Sequence, residues 1–151
     1  MTELNHLLET RKNFIGLIDS LTTEKLNKIP DGFSNNIIWN FGHNIVTQQL
    51  LCYKLAGKEP YMNEEIINEF RKGSKPTRLV SEEEITIFKK MAIELVSKTE
   101  SDLKSGINWN YNSYTTSYNV TLNSIEEAIK FNNVHEGLHF GYAMAMKKLV
   151  I

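Results

Sequence analysis

Apolar residues recur at three- and four-residue intervals in four separate stretches of the chain, which is the interval of one face of an α-helix. Leu4, Leu7, Leu8, Arg11, Phe14, Ile15 and Ile18 predict a first amphipathic helix over roughly residues 3 to 20. After the turn signal IPDGFSNN the pattern resumes with Trp39, Val46, Leu50 and Tyr53, which predicts a second helix from about Asn36 to Ala56 that Gly57 stops. Ser81 and Glu84 stand three apart as a capping box, and Ile85, Phe88, Ala92, Leu95 and Val96 carry a third helix to about Leu103. The fourth spans about Ser124 to Leu149, with Ile125, Ala128, Ile129, Val134, Leu138, Tyr142, Ala145 and Leu149 as its expected buried ridge.

The connections are long. Between the second and third helices lies room for a short helix capped by Asn63 and carrying Ile66, Ile67 and Phe70, followed by a Gly- and Pro-containing crossing. Before the last helix, INWNYNSYTTSYNV alternates Ile107, Trp109 and Tyr111, then Tyr118 and Val120, with Asn, Ser and Thr, which suits a short two-stranded ribbon. The four long segments define an all-α fold, a four-helix bundle, as one domain over residues 1–151 with connections too long for simple hairpins.

Composition narrows the function. With 17 Lys and Arg against 18 Asp and Glu, the chain has no long-range field to attract nucleic acid or an anionic membrane. The opening MTELNHLLETRKNF has no apolar leader core, no run approaches a membrane span, and one cysteine, Cys52, excludes an internal disulfide. The expectation is a cytoplasmic protein with no nucleic-acid and no membrane partner.

The candidate chemistry lies in HEGLH, residues 135 to 139. His135 and His139 are four apart, so on a helix they share a face. On the second helix, His43 falls on the stripe of Trp39, Val46, Leu50 and Tyr53. Each of the three, taken alone, reads as a core imidazole bonded to a neighbour. Together they also supply the ligand set of a three-His divalent metal site with one coordination position left for water or substrate. His6 lies among Glu3, Asn5 and Glu9 on a solvated face. Cys52 is nine residues beyond His43, about 180° around the helix and about 13 Å along it, so it reads as a buried thiol outside the site.

HEGLH matches the H-E-x-x-H helix of zinc peptidases. The context does not. The downstream positions where such an enzyme needs its third ligand are Tyr142 and Ala145, and the remaining residues continue the same helix. Glu136, the position of the peptidase base, is left with two readings, a catalytic base or a group that supports the ligands or faces solvent. Gly137 and Gly141 are costly in a helix interior and ask for close packing or a ligand, as does Gly42 beside His43. Asn36, Asn40 and Thr47 are placed to cap the second helix or to orient the His43 ring. No basic triplet near the ligands marks an anionic substrate, and Trp109, Tyr111, Tyr114 and Tyr118 offer either a lid or a structural crossover.

The runs NNIIWNFGHNIVTQQLLCYKLAG, FRKGSKP and TLNSIEEAIKFNNVHEGLHFGYAMAMKKL resemble the DinB-like superfamily of damage-inducible bundle proteins, which includes YfiT-like hydrolases. The resemblance covers essentially the whole chain, and its most specific feature is one His early in the second helix with H-x-x-x-H late in the fourth. It implies an up-down-down-up bundle, often a homodimer, holding nickel or zinc through His43, His135 and His139. It further implies a metal-dependent hydrolase, or an S-transferase using a low-molecular-weight thiol cofactor on a small-molecule substrate. A metal-stabilised binding or stress protein without turnover is the alternative. One departure stands out: many members follow the last His with x-G-Q, where this chain has Phe140, Gly141 and Tyr142.

Overall fold

The computed structural model describes residues 2–151. Four long helices are present: α1 (Thr2–Asp19), α3 (Ile37–Cys52), α5 (Glu82–Lys104) and α6 (Ile125–Val150), joined by the short helices α2 (Thr23–Asn27) and α4 (Glu64–Phe70). Two-residue strands β1 (Tyr114–Thr115) and β2 (Thr121–Leu122) pair antiparallel before α6, where the alternation of aromatic and polar residues predicts a ribbon. The second helix is shorter than its apolar pattern suggests, because Tyr53 closes it and Lys54–Ala56 tighten into a 3-10 turn before Gly57 takes φ +67°.

Local chemistry sets the helix starts. Asn36 accepts from the Trp39 amide, Asn63 from Ile66, and Ser124 from Glu127, each satisfying an otherwise bare amide of a first turn. Ser81 and Glu84 form the expected reciprocal capping box.

Cross-links give the helix directions. Lys89 near the start of α5 pairs with Asp19 at the end of α1, so these two run antiparallel. Asn133 bonds Glu3 while Lys147 bonds Ser20, so α6 runs parallel to α1. His43 meets His135 while Asn40 meets His139, which makes α3 antiparallel to α6. Gln48 with Thr99 and Tyr53 with Asp102 place α3 parallel to α5. The result is up-down-down-up, with α1 and α3 on opposite corners and the long 53–81 connection carrying the chain back along the bundle.

The last helix departs from its apolar pattern. Periodicity puts Val134, Leu138, Tyr142, Ala145 and Leu149 on the buried ridge, yet Val134 is 56%, Leu138 53% and Leu149 54% exposed, and Ala145 and Tyr142 also face outward. The buried ridge is Ile125, Ala128, Ile129, Asn132, Glu136, Ala143, Met146 and Val150. Helical geometry turns about 100° per residue, so the expected stripe from residue 142 on sits one residue, and one such step, off the true one. The cause is polar: Asn132 and Glu136 occupy inward positions because Arg11 of α1 waits there.

Arg11 ties the bundle together. Its guanidinium donates to both Glu136 oxygens, at 2.6 Å from Nη2 and 3.1 Å from Nε, and to the Ala92 carbonyl at 2.8 Å. It also reaches Gln48 Oε1 at 3.5 Å. One residue from each of the four long helices thus meets at a single buried charge pair, and Asn132 adds a 3.1 Å bond to Glu136. Gln48 continues through Thr99 and Tyr53 to Asp102, which Lys98 pairs at 2.9 Å near the surface.

Candidate metal centre and pocket

The antiparallel run of α3 against α6 brings His43 opposite His135 and His139, with possible ligand nitrogens all within 4.8 Å of one another. The outward displacement of Val134 and Leu138 shifts the histidines too. His135 and His139 sit where the inner face of α6 gives way to its outer face, half-buried at the wall of a cavity and not sealed in the core. His43, from the heart of α3, is buried.

The protein orients two of the rings. His43 Nδ1 lies 2.7 Å from the Phe70 carbonyl, an acceptor only, so Nδ1 carries the proton and Nε2 keeps its lone pair. Gly42 makes that contact attainable: a Cβ there would stand 2.6 Å from Phe70 Cδ1, so only glycine lets the Phe70 ring, and its carbonyl, come this near. Trp39 stacks on the other side of His43 at 4.6 Å and 10°, itself held by a 3.2 Å bond to Ser74. His139 Nδ1 lies 2.7 Å from Asn40 Oδ1, and the Asn40 amide nitrogen donates to Asn35 and Asn36, which fixes its oxygen toward the ring.

His135 lacks such support. Its Nδ1 is buried with no partner, and its Nε2 faces His43 Nε2 at 3.1 Å. Two imidazole nitrogens on one tetrahedral ion with Zn–N bonds of 2.0–2.1 Å stand about 3.3 Å apart, so the observed separation fits a shared ion. Burial lowers the pKa of all three rings; with added repulsion from its two neighbours His135 falls to about 3, and with that from His43 His139 falls to about 4. At neutral pH the cluster is therefore uncharged and its lone pairs are free, the state in which imidazole binds a metal.

The three histidines line a cavity of about 500 Å³. Trp39, Leu50, Phe131 and Leu138 give it apolar walls, and Tyr114, Thr116 and Tyr118 from the β-ribbon close one side. Of the aromatic residues before α6, Tyr114 and Tyr118 therefore belong to the pocket, whereas Trp109 and Tyr111 pack under the ribbon against the Leu4 and Ile129 cluster. Lys54 and Lys72 line it as well. They stand 18 positions apart in different connections, and no local pattern links them to the histidines.

Other candidates fall elsewhere. Glu136 points into the core against Arg11 and is not among the residues lining the cavity. Asn36 caps α3, and Thr47 Oγ1 lies 3.4 Å from His43 Nε2. Tyr142 packs against Phe33 on the outer face and does not line the cavity. Gly137 and Gly141 face open space, so neither admits a close neighbour within this chain. Cys52 is buried behind α3 with its thiol pushed up to about 12 by burial, and His6 is exposed. No described helix is long and apolar enough to cross a membrane.

The sequence profile of the DinB superfamily matches residues 6–143, a span that takes in α3, the larger part of α6 and all three histidines. No curated protein matches the chain.

Proposed function

The chain belongs to the DinB superfamily, and from that premise we propose that it is a metal-dependent enzyme whose divalent ion, nickel or zinc, is held by His43, His135 and His139. The observation that carries this reading is the meeting of three neutral rings at His135: its buried Nδ1 has no partner, and its Nε2 has no protein neighbour within hydrogen-bonding distance other than the Nε2 of His43 at 3.1 Å. An unsatisfied buried imidazole is costly, and neutral imidazoles suit zinc and nickel. A bound ion would supply Lewis acidity, which activates water for hydrolysis or favours the thiolate of a low-molecular-weight thiol for transfer.

The rest of the work belongs to the chain. The Phe70 carbonyl and Asn40 hold two rings in the tautomer that presents Nε2, and such supporting bonds raise ligand basicity. The cavity admits a small molecule in front of the histidines, and among the described residues no Asp, Glu or Cys joins them as a fourth ligand. That arrangement favours turnover over a purely structural ion, whose site would be closed by a protein side chain. Glu136 supports the helix that bears two ligands, and a role as base is not part of this proposal.

Elemental analysis of untagged protein is the test. Near-stoichiometric zinc or nickel is expected, lost in both His43→Ala and His139→Ala; retention in both variants would sink the assignment. Hydrolysis and thiol-transfer screens on the loaded protein then choose between the two reaction classes.

The proposal extends to a cytoplasmic homodimer formed through the outer face of α6. Val134, Leu138, Tyr142 and Leu149 expose a continuous apolar stripe there, of the kind that marks an interaction surface. Light scattering should give twice the chain mass for the parent and the single chain mass for Leu138→Glu/Leu149→Glu. A monomeric parent would refute it.

A further inference from the structure

The cavity is lopsided in charge. The chain carries 18 acidic residues, yet none lines the pocket, while two lysines do. Lys54 stands in the 3-10 turn that follows α3, and Lys72 in the connection that follows α4. Both are exposed, and among the described residues neither makes an ion pair or side-chain hydrogen bond. Among the described residues no carboxylate neutralises either cation.

Much of the remaining lining is apolar. Trp39 is fixed in place by His43 on one face and by Ser74 at its indole nitrogen, so it offers a rigid aromatic wall. Leu50, Phe131 and Leu138 add apolar wall to the same cavity that the three imidazole rings line. A volume of about 500 Å³ lies within the range of pockets for small organic ligands.

We propose that this pocket binds an amphipathic organic anion, an aromatic or alkyl body bearing a carboxylate, sulfonate or phosphate. The body lies against Trp39, Leu50, Phe131 and Leu138, and the anionic group lies at one of the two lysines of the lining, Lys54 or Lys72. This rests on reading the cavity as the substrate site of the three-His centre and names the class of molecule it admits. The lysines act by charge, concentrating anions at a low-dielectric mouth, so their effect shrinks as salt rises. A cation of the same shape meets two unpaired positive charges and no carboxylate, and a neutral isostere gains only the apolar wall.

Isothermal titration calorimetry of the full chain, zinc-loaded and after chelation, with 2-naphthoate and 2-naphthamide as probes, tests this. Naphthoate should bind about tenfold more tightly than naphthamide in both forms, as one partly exposed ion pair and the field of the second lysine allow. Lys54→Met/Lys72→Met should abolish the preference by weakening naphthoate to the level of naphthamide. Equal affinity in the parent, binding of neither probe, or a preference that survives in the double variant would overturn the proposal. Zinc uptake is measured in the same samples. A preference for naphthoate in protein that takes up no zinc would remove the metal reading alone, whereas zinc uptake with no preference would remove this inference alone.

Discussion

His135 and Glu136 are neighbours on one helix, and they sit in opposite polar environments. Glu136 looks inward to Arg11, Asn132 and, through Arg11, to Gln48 and Ala92, so the charge is bonded on every side by protein. One residue earlier and about 100° around the helix, His135 looks toward the pocket, where the protein gives it another imidazole and nothing else. In the first region the guanidinium and the carboxylate are satisfied without a ligand, and only Asn132 Oδ1 lacks a partner. The second region is not so satisfied, and that difference separates a structural polar cluster from a functional one more clearly than burial or residue type does.

The largest effect is expected in the complete region. Removing one partner of a buried pair strands the other, so Glu136→Ala or Arg11→Ala should cost about 3–5 kcal/mol in chemical denaturation. The paired replacement Arg11→Met with Glu136→Leu leaves no stranded charge and should recover most of that loss. If metal content per folded molecule stays near one in the paired variant, the two regions are energetically separate. If it falls, the ion pair also aims the α6 ligands.

How far the sequence reveals this contrast depends on the residue. The four helices, the capping box at Ser81 and the three histidines are legible because each rests on spacing along one segment. Glu136 is not, because its partner lies 125 positions away and a charged residue reads as outward. The same bias misplaces the α6 ridge: apolar Val134, Leu138 and Leu149 read as core but face outward, while Asn132 and Glu136 turn inward to meet Arg11. Lys54 and Lys72 are likewise invisible, since only the tertiary arrangement carries them to one cavity. Gly42 is half-legible; its lack of a Cβ asks for a close neighbour, and the structure supplies Phe70.

The incomplete region should respond to protons. In metal-stripped protein the three rings resist protonation, with His135 lowered to about 3 and His139 to about 4, while the unfolded chain protonates its histidines near 6.5. Below that value the unfolded state binds more protons, so stability falls as pH drops from about 6.5 toward about 4. Each such His contributes up to about 1.4 kcal/mol per pH unit, less where solvent reaches the ring. Denaturation between pH 7 and pH 5 measures the slope, and it should flatten in His135→Gln. A slope equal in the parent and the variant would mean that the ring is not held neutral.

The smallest effects come from one substitution made in two places, and their signs should differ. Gly42→Ala puts a methyl 2.6 Å from the Phe70 ring and displaces the carbonyl that holds His43. Overpacking of this kind costs about 1–3 kcal/mol, and loss of the ring's anchor should weaken zinc binding about 10- to 100-fold. Gly16→Ala, inside α1 with nothing near the added carbon, should stabilise by about 0.8–1 kcal/mol through helix propensity and leave metal affinity unchanged. Thermal melts of both, with zinc titrated by competition, give the comparison. Stabilisation at both sites would mean that Phe70 yields freely and that the His43 tautomer does not depend on it. Opposite signs, with the affinity loss confined to Gly42→Ala, would tie the glycine to the geometry of the histidine beside it.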